Sequence, residues 1–389
     1  MNVLKSIFSK EAALALVFGL VTNNFIDQRH AIKGQQQQPQ LVDPNDVFTS
    51  QELTTLTTVW EDNNGPEGKF LKGRHGVTHY IVDRGNNNNE SKKGIIILCH
   101  GLGQSLKMYK EFSDILVKDG FAVLRYDYFG HGYSKYVGRD IWVKYTPDVF
   151  VNQLEDLIDF VTKEENEEVV AFVGHSNGGV VGISANYRWN SDSTNKRKLI
   201  PKLILANPAI YASKPLLAKI ADKIPTVMTT LFKVIPPARV LVADNYMDTI
   251  TKAFGKNDNG DYIFPEAFQA AMDSNNRLFG KVKGIDKHPF LDAAILGISS
   301  YNIPTERLPT YVDQLEKLSK RDSSTEEKIH FVWGKKDVVV PYKENVEEIE
   351  KLASSSDIMT LDVLEGISHE CFLENTRAFA KLVLPTLNA

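Results

Sequence analysis

Val169-Val170-Ala171-Phe172-Val173-Gly174-His175-Ser176-Asn177-Gly178-Gly179 is the stretch that decides the fold of this chain. The first five residues are apolar and mostly β-branched, which reads as a buried strand. Gly178 to Trp189 reads as a helix. Between the two lies G-x-S-x-G, the pattern of a nucleophile elbow when a strand precedes it and a helix follows. A tight turn there throws Ser176 outward in a strained conformation, and side chains at positions 174 and 178 would crowd it. With this glycine and serine content, chance supplies the pattern about 0.1 times per chain. Asn177 stands where an apolar residue more often follows the serine. Only its backbone N–H is needed for an oxyanion hole, so the substitution leaves the motif intact.

Working outward, short β-rich runs alternate with amphipathic stretches from about residue 50 onward. Gly76–Asp83, Gly94–Cys99, Ala122–Tyr126, Leu203–Ala206, Ile329–Trp333 and Met359–Leu364 read as further strands. Ser105–Lys118, Pro147–Lys163, Tyr311–Lys320 and Lys343–Leu352 read as helices between them. This alternation predicts an α/β fold with a doubly wound, mainly parallel sheet. One gap breaks the rhythm, because residues 209 to about 310 carry no obvious strand. The expected division is 1–50 as an N-terminal apolar segment and polar tether, 51–208 as the first part of the core, 209–285 as an inserted helical cap, and 286–389 as the second part of the core. In the cap, Leu216, Leu217, Ile220 and Ile224 share a helical stripe, and Phe254, Tyr262, Phe264 and Phe268 add aromatic bulk. The stripe is either the cap's own packing or the lining of an acyl pocket.

A serine needs a base, and the base needs an acid to orient it. In this topology the acid follows a later strand and the histidine follows the last one. Gly334-Lys335-Lys336-Asp337 follows Ile329–Trp333, and Glu365-Gly366-Ile367-Ser368-His369 follows Met359–Leu364. Of nine histidines, His369 alone holds the expected place. His131 reads as a packing or cap-facing residue, and Asp362, inside the last strand, is a poorer acid than Asp337. The candidate catalytic set is therefore Ser176, Asp337 and His369. His100-Gly101-Leu102-Gly103 ends an earlier strand, where the glycines let the chain fold back over the elbow. That makes the N–H groups of Leu102 and Asn177 the candidate oxyanion donors.

Composition sets the outer limits. With 389 residues, 42% hydrophobic and 24% charged, the chain is neither wholly disordered, collagenous nor a multi-span membrane protein. A net charge of −4 gives no basic surface for nucleic acid. Two cysteines, Cys99 and Cys371, make no disulfide framework and should be unpaired. Lys5 and Lys10 precede an apolar run, Ala12 to Val21, about 15 Å long as a helix and half the hydrocarbon thickness of a bilayer. It reads as a secretory signal or an uncleaved membrane anchor, or else as an amphipathic helix docked on the domain or a membrane surface. The first two readings place the protein in the secretory pathway or on a membrane, and the alternative is cytoplasmic. Gln35–Gln38 begin an unstructured tether, and Asn89-Glu90-Ser91 is a glycosylation sequon.

From about residue 70 to 389 the chain resembles the α/β-hydrolase superfamily. The carrying stretches are HGLG at 100–103, RYDYFGHGYS at 125–134, GHSNGG at 174–179, WGKKDVVVP at 333–341 and GISHE at 366–370. The second of these and Gly76-Val77-Thr78-His79-Tyr80 resemble the esterase and monoacylglycerol-lipase-like branch. The resemblance implies a serine nucleophile without cofactor, and no metal is expected; the apolar residues of the expected cap point to lipid-like or medium- to long-chain acyl esters. The same triad also serves C–C bond hydrolases and acyltransferases, and some hydrolase-fold receptors bind ligand with little turnover. The oligomeric state has no signal in the sequence.

Overall fold

Ile95-Ile96-Ile97-Leu98-Cys99 is apolar at every position, so a strand there must be covered on both faces. The computed structural model places it at the centre of a ten-stranded sheet. The structure describes residues 38–60, 65–85, 93–102, 104–136, 147–191, 197–210, 310–320 and 327–389, with parts of 251–272.

In chain order the strands are β1 (Gln40–Leu41), β2 (Lys69–Lys72), β3 (Gly76–Asp83), β4 (Ile95–Cys99), β5 (Ala122–Tyr126), β6 (Lys135–Tyr136), β7 (Val169–His175), β8 (Lys202–Ala206), β9 (Lys328–Gly334) and β10 (Met359–Leu364). The helices are α1 (Pro44–Val47), α2 (Ser50–Trp60), α3 (Lys110–Lys118), α4 (Pro147–Glu165), α5 (Asn177–Ser191), α6 (Tyr311–Ser319), α7 (Tyr342–Ser354), α8 (Cys371–Glu374) and α9 (Thr376–Asn388). The sheet order is β1-β2-β3-β5-β4-β7-β8-β9-β10, with β6 on β3. From β5 to β10 the pairs are parallel, whereas β1, β2 and β3 run antiparallel to their neighbours.

Alternation along the strands builds two cores. Ile95, Ile97, Phe172, Leu203, Leu205 and Phe331 join one cluster, reached by Leu154 of α4, Val181 of α5, Leu315 of α6 and Ile349 of α7. Ile96, Leu98, Val173, Ile204 and Val332 face the other way, onto Phe112 and Leu116 of α3 and Phe379 and Val383 of α9. Each fully buried side chain of this size contributes roughly 1.5–3 kcal/mol. The chain re-enters the sheet through α6, whose start is set by a reciprocal cap: Asp313 N–H donates to Thr310 Oγ1 (3.0 Å) and Thr310 N–H to Asp313 Oδ2 (2.7 Å).

Two expectations need correction. The tether does not reach residue 50: Pro39 onward belongs to the main unit, and Gln40 and Leu41 pair with Lys72 and Leu71. The edge of β2 would otherwise present unpaired N–H and C=O groups, which β1 covers. The strand before the elbow also runs to His175 rather than Val173, because parallel pairing with β8 continues to His175↔Ala206. The antiparallel strands β1 and β2, at one side of the sheet, went unread in the sequence.

The apolar run at 12–21, the sequon at 89–91 and most of the expected cap at 209–285 lie outside the described residues. Among the described residues, no helix is long and apolar enough to cross a membrane. The part of the cap that is described clusters around Phe254, which packs with Tyr262, Phe268 and Met272 and with Met108 and Val339 of the core. Both cysteines are buried and unpaired.

Candidate active site

Parallel register brings the functional loops to one edge of the sheet. Cys99 pairs with Gly174, His175 with Ala206, Ala206 with Val332, and Gly334 with Leu364. Everything that follows those residues therefore emerges side by side, at the carboxyl ends of β4, β7, β8, β9 and β10.

Ser176 leaves β7 in the left-handed region, with φ 51°. A non-glycine residue there stores about 1–3 kcal/mol of strain, which persists only where the surroundings hold it. Here its N–H donates to Ala206 O (2.9 Å), and its carbonyl accepts from Gly179 N–H (3.1 Å) and Ala209 N–H (2.9 Å). The elbow is packed so tightly that a Cβ on Gly178 would collide with the Cys99 carbonyl, and one on Gly174 would lie 2.5 Å from the Gly178 backbone. A Cβ on Gly101 would stand 3.0 Å from Ser176 Cβ, which puts the glycine-rich loop directly against the serine. Asn177 opens α5, so its N–H has no carbonyl one turn back to bond. Leu102, next to Gly101 in the glycine-rich loop, is buried.

Asp337 and His369 meet because their strands are neighbours. Lys336 N–H donates to Ile367 O (2.9 Å), and Gly334 lies so close to the Ser368 carbonyl that no side chain would fit. His369 Nδ1–H donates to Asp337 Oδ2 at 2.7 Å, with both side chains at most 4% exposed. The other carboxylate oxygen, Oδ1, accepts from Val339 N–H (2.8 Å) and Val340 N–H (2.9 Å). Burial pulls the His369 pKa down, but the charge of Asp337 and its hydrogen bond outweigh it and hold the ring above its ordinary value of 6.5. Among the described residues His369 is hydrogen-bonded through Nδ1 alone among its ring atoms, which leaves Nε2 for a proton from elsewhere.

His369 reaches the elbow through His175. Their ring centroids are 4.8 Å apart, and His175 Nε2–H donates to the His369 carbonyl (2.8 Å). Burial, then the neighbouring His369, keeps His175 well below the ordinary histidine range, so it is a neutral prop. No hydrogen bond between Ser176 and His369 is formed among the described side chains. Catalytic hydrogen bonds are often long or poorly aligned before substrate arrives.

One residue at this site was missed from sequence. Asn207, fully buried and itself left-handed at φ 44°, donates from Nδ2 to Asp337 Oδ2 at 2.6 Å. It directly follows β8, which was its only sequence signal. Asp362 is not at the site: it accepts from His330 Nε2–H at 2.9 Å within the sheet. His131 is a packing residue, 5.3 Å from the His100 ring, and burial, then the nearby His100, pushes it down to about 3.

Residues 90–283 match a family model described as serine aminopeptidase, S33. Over 126 residues the chain is 32% identical to a monoglyceride lipase of Rattus norvegicus and 29% identical to one of Mus musculus. Each match covers 32% of this chain, which spans about 40% of the length of these curated relatives. Among solved structures, an esterase from Exiguobacterium antarcticum superposes with a TM-score of 0.55 at 15% identity, covering 83% of this chain and 100% of that one. An enol-lactonase from Burkholderia xenovorans gives 0.54 at 18%, covering 81% and 97%. The strand order, the left-handed serine at its strand–helix turn and the two superpositions together show the α/β-hydrolase fold, and the matched stretch of the chain is similar to monoglyceride lipases.

Proposed function

We propose that the chain is a serine hydrolase of carboxylic esters, with Ser176 as nucleophile, His369 as base and Asp337 as the group that orients it. The observation that carries this reading is a strained Ser176 at the strand–helix turn, preceded by His175 whose ring centroid lies 4.8 Å from that of a histidine whose Nδ1 is already committed to a buried carboxylate. In that arrangement His369 Nε2 takes the Ser176 proton as Oγ attacks the acyl carbonyl. Negative charge develops on the carbonyl oxygen, and the N–H groups of Leu102 and Asn177 are assigned to receive it, helped by the positive end of α5. His369 then protonates the departing alcohol, and a water repeats the sequence on the acyl-enzyme. No cofactor enters the scheme.

The preferred substrates in this proposal are medium- or long-chain acyl esters. Phe254, Phe268 and Met272 cluster on Met108, just past the glycine-rich loop, and Val339, just past Asp337. An apolar roof there favours burying acyl carbons, at about 0.8 kcal/mol per CH₂. The apolar run at 12–21 belongs to the proposal as a secretory or membrane-tethering element. The test is a panel of p-nitrophenyl esters from acetate to palmitate alongside aminoacyl p-nitroanilides. Rising kcat/KM with chain length supports the lipid-like reading. A steady fall from acetate leaves a small-ester hydrolase, and faster turnover of the anilides replaces it with an aminopeptidase.

A further inference from the structure

Behind the serine, the glycine-rich loop, the elbow and the histidine loop are clasped by side chains that the scheme above does not use. Gln104, 2% exposed, accepts the Gly101 N–H on Oε1 (2.9 Å) and donates from Nε2 to Glu370 Oε2, on the other side of the site. Glu370 is equally buried. His175 packs against both without bonding either: its Nε2–H is given to the His369 carbonyl and lies 3.8 Å from Glu370 Oε2, and its unprotonated Nδ1 lies 3.2 Å from Gln104 Oε1. The next carboxylate along, Glu374, is occupied differently, accepting from Ser368 N–H (3.1 Å) and from the Ser368 hydroxyl.

The chemistry of the amide gives this ring a direction. A carboxylate only accepts, so it draws the NH₂ end of Gln104 and leaves Oε1 for Gly101. A bonded Gly101 peptide fixes the plane from which the chain turns toward the N–H of Leu102. A carboxyl group this deeply buried is costly unless it is held, and Glu370 is held by the glutamine. Burial, despite the opposing charge of His369 and with Glu374 adding to it, pushes its carboxyl up to about 7. Assays above that pH keep it as the accepting carboxylate.

We propose that Glu370 is a positioning residue for the oxyanion donors: through Gln104 it holds the glycine-rich loop in place against the elbow and the histidine loop. The proposal rests on the serine-hydrolase reading above.

The experiment compares wild type, Glu370→Ala, Glu370→Gln, Gln104→Ala and the Ala/Ala double variant at pH 8.5. It reads kcat and KM on the best p-nitrophenyl ester, affinity for the matching trifluoromethyl ketone, whose adduct carries the oxyanion, and Tm. Glu370→Ala should lower kcat on the order of 10- to 100-fold with KM within about threefold, the scale of a displaced oxyanion donor. Ketone affinity should fall by a similar factor. The double variant should be no slower than Gln104→Ala, because the two residues act as one unit. Glu370→Gln, whose side-chain oxygen still accepts from Gln104, should recover most of the rate. Additive losses overturn the proposal, as does a drop in Tm with kcat and ketone affinity unchanged per folded molecule. If Glu370→Ala does not fold, Gln104→Ala decides alone by the same kcat and ketone readings. Fluorophosphonate labelling separates the two levels of failure. Unlabelled wild type sinks the serine-hydrolase reading, and this proposal with it. A wild type labelled at Ser176 and a Glu370→Ala protein labelled equally fast sink only this proposal.

Discussion

Two histidine–carboxylate pairs in this molecule share one geometry. His369 Nδ1 lies 2.7 Å from Asp337 Oδ2, and His79 Nδ1 lies 2.7 Å from Asp127 Oδ2, all four side chains nearly sealed from solvent. What separates them is the second nitrogen. His79 Nε2–H donates to the Glu67 carbonyl, so both sides of its ring are spent. Asp127 is spent as well, accepting from Leu106 N–H (2.8 Å) and Tyr133 N–H (3.2 Å). Burial would raise its pKa, but His79 and the other donors hold it below the usual carboxylate range. That pair ties β3 to the turn after β5 and leaves no ring nitrogen free to take a proton. Among the described residues His369 makes no hydrogen bond through Nε2, and its ring lies 4.8 Å from that of His175, the residue before the strained serine. A buried pair is therefore a structural device by default, and a base only where its far nitrogen faces a nucleophile.

The comparison can be broken at either end. The largest effect is expected from Ser176→Ala, which should cost on the order of 10⁶ in kcat and abolish fluorophosphonate labelling with Tm little changed. Residual turnover above a tenth of wild type would remove Ser176 from the mechanism. Asp337→Asn should lower kcat by about 10⁴, by presenting the wrong histidine tautomer. A benign Asp337→Asn would mean that the acid has been misplaced.

The pH profile sharpens the same contrast. His369 must be neutral to accept a proton, and Asp337 holds its pKa above 6.5. Activity is therefore lost on acidification at a higher pH than a free histidine would require, with the acid limb of kcat/KM inflecting above 6.5. Asp337→Asn should move that limb downward in whatever activity remains. A limb already below 6.5 in wild type would show that Asp337 does not control the base.

Asn207→Ala removes the 2.6 Å donor to Asp337 Oδ2 while sparing the backbone donors on Oδ1. A hydrogen bond to a charged group contributes about 1.5 kcal/mol, so kcat should fall about 10-fold. An unchanged kcat would reduce Asn207 to a strained turn residue. The smallest catalytic effect belongs to the other pair. His79→Gln should lower stability by about 1–3 kcal/mol, by leaving Asp127 short of a buried donor, and change kcat by less than about threefold. A His79→Gln protein that is stable but inactive would reverse the assignment of roles.

The pieces of this site differ in how much of them the sequence carries. Ser176, Asp337 and His369 could be proposed from the sequence because each lies in the loop past a strand, immediately after β7 and a few residues beyond β9 and β10, and parallel register brings those loops to one edge. Asn207 obeys the same rule after β8, but an asparagine past a strand is too common to single out. Gln104 and Glu370 could not be paired in advance, since nothing local links residues 266 positions apart. In the fold, β4, β7 and β8 announce themselves through unbroken apolar runs. Lys69–Lys72 does not, being four residues long with lysine at both ends, and Gln40–Leu41 is a two-residue edge strand. Such strands exist because a neighbour offers them hydrogen bonds, which no periodicity records.

In the proposed mechanism the strained serine, and no other side chain, attacks the acyl carbonyl. The direct measurement is to treat the intact protein with a fluorophosphonate, weigh it, and locate the adduct by peptide mass spectrometry. The account predicts one adduct per chain, on Ser176, with ester turnover lost in proportion to labelling. An adduct on a different residue that accompanies the loss of turnover, or full labelling of Ser176 with turnover intact, would contradict it.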